Sequence, residues 1–136
     1  MSLVRAVRDY LAADAALTAL LPGGIHTGTG EISRQKTPGA FDADGELLPC
    51  ALVTATNDTV DGPTGYAGRL LVSVWLYHRT SDAANETAAA RVRTLLHKHP
   101  LPGTYEVRWA FGTPSFEEEA LAARGAVVRF EVIRKL

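Results

Sequence analysis

The chain has 136 residues, 46% of them hydrophobic and 21% charged, with 14 Lys and Arg against 15 Asp and Glu for a formal net charge of −1. That length and balance fit one compact domain over residues 1–136, and they exclude an intrinsically disordered chain and a nucleic-acid binder recruited by a global basic field. The longest apolar runs break within about ten residues, short of the roughly 20 that a spanning helix requires, and Arg5, Arg8 and Asp9 interrupt the start where a signal peptide would be continuously apolar, so folding in a cytoplasm without membrane contact is expected.

In chain order, the first predicted element is a helix over residues 2 to 21, with Leu3, Val4, Val7, Leu11, Leu17, Leu20 and Leu21 on one side. Pro22-Gly23-Gly24 ends it, and a short strand follows at residues 25 to 27. From 28 to 49 all periodicity is lost and small, polar and proline residues dominate. Structureless loops beyond roughly 12 to 15 residues are uncommon in compact domains and usually functional. Arg34, Lys36, Asp42 and Asp44 in this loop are therefore the first candidates for contact with a partner.

A strand is expected over residues 50 to 56, and its Cys50, the only cysteine, sits in an apolar run that suits a buried reduced thiol better than a nucleophile. Residues 57 to 65 are turn chemistry joining an antiparallel strand pair, and Asn57, Asp58 and Asp61 make this a second candidate contact loop. Residues 69 to 78 alternate Leu70, Val72, Val74 and Leu76 with Leu71, Ser73, Trp75 and Tyr77, both sets largely apolar, as a central strand requires. Ser81 and Asp82 then cap a helix whose Ala84, Ala88, Val92, Leu95 and Leu96 recur at helical spacing until Pro100. In the strand from 104 to 111, Tyr105, Val107, Trp109 and Phe111 fall on one face, predicting a sheet covered on one side only. Residues 112 to 115 turn the chain, 116 to 123 form an acidic connection, and 125 to 134 return as the last strand. The expected fold is α+β: a mainly antiparallel four- to five-stranded sheet with two helices packed on one face.

The search for chemistry yields no catalytic, cofactor-binding or metal-binding residue, so the chain is not expected to be an enzyme. No phosphate loop or nucleophile elbow is present, and Gly28-Thr29-Gly30 lacks the third glycine of a dinucleotide fingerprint. His97 and His99, two apart on a helix, point about 200° away from each other and cannot share an ion; they read instead as a positive last turn complementing the helix dipole. His26 and His78 stand singly. Asp42-Ala43-Asp44-Gly45-Glu46 superficially matches a calcium loop, but Leu47 replaces the required glycine and Val53 the closing glutamate. Glu117, Glu118 and Glu119 read as a solvated turn, or alternatively as an acidic lining or subunit contact. Trp75 and Trp109 fit core packing better than a base-stacking platform.

The run Ala19-Leu20-Leu21-Pro22-Gly23-Gly24-Ile25-His26-Thr27, then Leu48-Pro49-Cys50-Ala51-Leu52-Val53, resembles the tail-completion, or tail-terminator, proteins of long-tailed bacteriophages. The strand ending in Val74-Trp75-Leu76-Tyr77, the helix with Ala88, Val92, Leu95 and Leu96, and the closing Ala126-Val127-Val128-Arg129-Phe130-Glu131-Val132 are similar to the rest of that family. The resemblance implies a structural protein forming a homo-hexameric ring at the tail-neck junction of a virion assembled in the host cytoplasm. Such a ring caps the tail tube, ends its polymerisation and joins it to the head connector. Its partners would be copies of itself, the tail tube protein and the connector or adaptor protein, with genomic DNA passing through the lumen without specific binding. The two loops would order on docking, and Glu117 to Glu119 would line the lumen or an interface, since clustered basic groups would retard DNA. The residues also leave open a head-completion or connector adaptor of the neck, and a small-ligand or nucleic-acid binding module using the same sheet.

Overall fold

The computed structural model describes residues 2–56, 59–61 and 67–135. The candidate contact residues Asn57 and Asp58 lie outside the described residues, and Asp61 enters only through its backbone.

The amino-terminal helical region is two helices, not one. In α1 (Leu3–Ala12), capped by Ser2, the buried residues Leu3, Val7 and Leu11 recur four apart and so fall on one side. Asp14 then caps α2 (Ala15–Leu20), its carboxylate accepting the Leu17 N–H at 2.9 Å. The same carboxylate receives two bonds from Arg91 at 2.6 and 2.9 Å. A residue held in extended geometry by both partners ends one helix and starts the next.

The remaining elements are β1 (Ile25–Thr27), β2 (Cys50–Ala55), β3 (Thr59–Asp61), β4 (Ala67–His78), α3 (Asp82–Leu96), β5 (Thr104–Glu118) and β6 (Ala123–Lys135), with short 3-10 turns at Pro38–Ala40 and Glu119–Leu121. The sheet has six strands in the order β1-β2-β4-β6-β5, with β3 pairing β4 off this path. It is mixed, because β1 runs parallel to β2 while the other pairs are antiparallel. This corrects the expected mainly antiparallel sheet of four to five strands with two helices: among the described residues there are six strands in a mixed sheet and three α-helices, although the α+β class stands. Parallel neighbours need a crossover of about a dozen residues or more. Residues 28 to 49 are that crossover, which is why a long segment without periodicity interrupts the chain there.

Strand alternation splits the core between two faces. Under the helices, Val53, Val72, Val74, Leu76, Val107, Val128, Phe130 and Val132 meet Leu3, Val7, Leu11, Leu17, Ala88, Val92 and Leu96. Full burial of each such side chain is worth about 1.5–3 kcal/mol. On the opposite face Ile32, Ala40 and Leu47 from the crossover cover Cys50, Leu52 and Tyr77. One end of that face is thus covered too, against the expectation of a sheet covered on one side only.

The helices are pinned to the sheet by polar contacts. Buried Asn85 donates to the Arg124 carbonyl at 3.0 Å, and Asp82 takes the Arg124 guanidinium at 2.8 and 3.3 Å. His78 Nδ1 accepts the N–H groups of Thr80 and Ser81 at 3.1 and 2.9 Å, closing the turn into α3. The helix ends at Leu96, before the expected Pro100, so His97, Lys98 and His99 lie beyond it and do not form its last turn. His99 instead stacks on Tyr10 with ring centroids 3.9 Å apart.

Candidate assembly surfaces

The most exposed apolar groups gather on one edge. Among the described residues the exposed large hydrophobics are Leu20, Tyr105, Trp109 and Phe111, and the last three belong to β5, the outermost strand. Each of the three carries a cation near its ring: Lys135 over Tyr105 at 5.4 Å, Arg93 over Trp109 at 5.2 Å, and Arg129 over Phe111 at 5.6 Å. Trp109, expected in the core, is 38% exposed.

β5 also departs from its expected alternation. Irregularities in its pairing with β6 fall between Thr104 and Glu106, Trp109 and Phe111, and Thr113 and Phe116. A bulge inserts an extra residue and reverses the faces beyond it. Val107 and Trp109 therefore lie on the helix side, whereas Phe111 shares Arg129 with Trp75 on the other face. The strand also runs on to Glu118 through residues 112 to 115, where a turn was expected, since an edge strand tolerates proline. Part of its outer edge is already occupied. The Lys98 N–H donates to the Val107 carbonyl at 2.8 Å, and the Trp109 N–H donates to His97 Nδ1 at 2.9 Å. This strap follows α3 where the sequence predicts the helix's last turn.

The candidate contact residues of the crossover serve mostly to fold it. Arg34 Nε donates to the Gly45 carbonyl at 2.8 Å and its guanidinium lies 5.0 Å from the Phe41 ring centre. Lys36 Nζ pairs with Glu31 at 2.9 Å. Asp42 Oδ1 accepts the N–H groups of Asp44 and Glu46, both at 2.9 Å, and Asp44 itself is exposed at the bend. These contacts fold the segment onto the sheet.

Glu117, Glu118 and Glu119 do not form a common wall. Glu117 and Glu118 are the last residues of β5, whose side chains alternate, and Glu119 opens the following 3-10 turn. Glu117 acts on Arg124 electrostatically, while half-buried Glu118 acts on Tyr77. Cys50 is fully buried, and desolvation pushes its thiol up to about 12, as suits a packed thiol. No group of three or more His, Cys, Asp or Glu residues able to hold a metal ion occurs among the described residues, and no helix among them is long and apolar enough to cross a membrane.

No family model matches the chain, and no curated protein does. Among solved structures, a chain described as "Virion of native gene transfer agent (GTA) particle" is similar over 99% of this chain and 96% of that one, with a TM-score of 0.70 and 17% sequence identity. At that identity the likeness establishes a shared fold.

Proposed function

We propose that this protein is a structural component of a phage-like virion, and within it a tail terminator: a subunit of a hexameric ring at the tail-neck junction. The ring caps the tail tube, ends its polymerisation and joins it to the head connector, with DNA passing through the lumen without specific binding. The observation that carries this reading is the fold shared end to end with a chain of the gene transfer agent virion. The β5 edge supports it physically. Unpaired strand edges and exposed aromatics along them are liabilities on a solitary protein, and cyclic assembly covers both. In this role the chain acts through assembly rather than catalysis.

Particles assembled without the protein test the reading directly. Tails of excess and variable length are the expected result, restored to uniform length when the protein is added back. Tails of normal length left unjoined to heads would assign it instead to the connector adaptor. A strict monomer that changes neither tail length nor head joining would end the virion assignment.

A further inference from the structure

The outer edge of β5 is shut at Val107 and Trp109, and the group that shuts it changes character with one proton. Residues 97 to 99 leave α3 and lie along β5 as a strap. The Lys98 N–H donates to the Val107 carbonyl at 2.8 Å, and the Trp109 N–H donates to His97 Nδ1 at 2.9 Å. One bond given and one taken, two residues apart on one edge, is what a neighbouring strand would supply. A backbone N–H can only donate, so Nδ1 must present a lone pair, and the closed strap requires His97 without a proton at that nitrogen.

The strap is held against its own preference. His97 and Lys98 are exposed, and Lys98 sits at φ 63°, in the left-handed region that a lysine rarely occupies. Beyond it, His99 is fixed by its stacking on Tyr10 of α1 and by its N–H bond to the Leu96 carbonyl at 3.1 Å.

The charges around the strap decide what a proton would do. From α3 comes Arg93, whose carbonyl accepts the His97 N–H at 3.0 Å and whose guanidinium lies over the Trp109 ring. Within the strap, Lys98 adjoins His97. From β5, Glu106 lines a depression with Lys98, His99 and Tyr105, while Arg108 is taken by Glu131. No carboxylate pairs with His97 among the described residues. Protonation of Nδ1 therefore sets a donor against the Trp109 N–H and adds a charge that no paired anion offsets.

We propose that the strap is an acid-released guard. With His97 neutral it covers β5 at Val107 and Trp109; protonation of His97 frees that carbonyl and that N–H for pairing by the same stretch of a second copy, which offers the complementary groups when antiparallel. Histidine is the side chain whose charge changes between pH 5 and 8. The guard acts whether or not the copies also form a ring.

Amide exchange of Trp109 on the full chain, at about pH 7.5 and about pH 5.5 and corrected for the intrinsic rate, reads the strap directly, with fully buried Val74 as the reference. In the wild type the protection of Trp109 relative to Val74 should fall about threefold to tenfold on acidification, the scale of one hydrogen bond. His97→Asn sets an amide oxygen where Nδ1 stands and does not titrate in this range, so it should keep its protection at both values. His97→Ala removes the acceptor from an exposed position and should be as weakly protected at neutral pH as the wild type in acid. At the lower pH the native mass of the wild type should exceed that of His97→Asn, a comparison in which any ring formed by both cancels. Equal loss of protection in wild type and His97→Asn assigns the change to another group, foremost His78 with its two N–H bonds, and overturns the proposal. So does wild-type protection that acid leaves unchanged, or equal native masses at the lower pH; the wild-type measurement stands even if a variant fails to fold.

Discussion

Asp14 and Cys50 are held in opposite ways, and pH separates them. The hydrogen bonds from Arg91, then the Leu17 N–H, keep the Asp14 carboxyl below its ordinary 3.8. A depressed carboxyl contributes stability that is present above the unfolded value and lost as pH falls through the folded one. Asp14→Asn keeps an N-cap oxygen but deletes the charge. Its melting temperature should be lower than that of the wild type at neutral pH, and the difference should shrink as melts are recorded below about pH 4. Cys50 behaves in reverse. Its thiol is raised from 9.0 to about 12 by desolvation, so between those values the unfolded chain ionises while the folded one stays neutral, and stability falls as pH rises. Three units at about 1.36 kcal/mol each set an upper limit of about 4 kcal/mol for that loss. Cys50→Ala, costing about 1 kcal/mol at neutral pH, should unfold in denaturant with a shallower decline than the wild type above about pH 9.

At the scale of elements, the crossover from 28 to 49 is a folded cover with its own apolar anchors, Ile32, Ala40 and Leu47. Leu47 is 5% exposed and bridges to Phe41, so Leu47→Ala opens a cavity beneath the segment at a cost of about 2–5 kcal/mol. Because that cost falls on one locally cooperative unit, trypsin should cut after Arg34 and Lys36 faster in the variant, under conditions that leave the β4–β6 core intact. Equally rapid cutting of the wild type would show that the cover stands open. The sequence made some of this legible. Two-residue alternation located β4 and most of β6, the short β1 was visible after Pro22-Gly23-Gly24, and Ser81 marked the start of α3. What it concealed has physical causes. The break at Asp14 depends on Arg91, 77 residues away, and the faces of β5 depend on bulges that no alternation rule encodes. The cover's anchors have no period because they follow an irregular path, so the segment reads as loop. A cavity beside Glu118 joins strands and turns far apart in the chain, so no local pattern marks it.

For the whole molecule, the two ends of the sheet are unequal. One end carries β5, 15 residues long with its aromatics exposed, and the other carries β1, 3 residues long. A long edge and a short one suit a head-to-tail contact between different surfaces, the kind that closes into a ring when the rotation permits. The His97–Lys98 strap already blunts β5 at Val107 and Trp109, so the contact must lie beyond it. Phe111, 46% exposed and past the second bulge, is the apolar group best placed there. Phe111→Lys puts a charge on that stretch, as natural edge strands do to stay solitary. It removes no core contact, so stability should change by no more than about 0.5 kcal/mol, apart from the lost Arg129 stacking. In the proposed ring the substituted subunit should run at monomer mass and fail to restore uniform tail length, while its thermal melt stays close to that of the wild type. Retained assembly by Phe111→Lys would move the subunit contact off β5. Loss of assembly together with a collapsed melt would instead show that Phe111 holds the fold, a role its exposure speaks against.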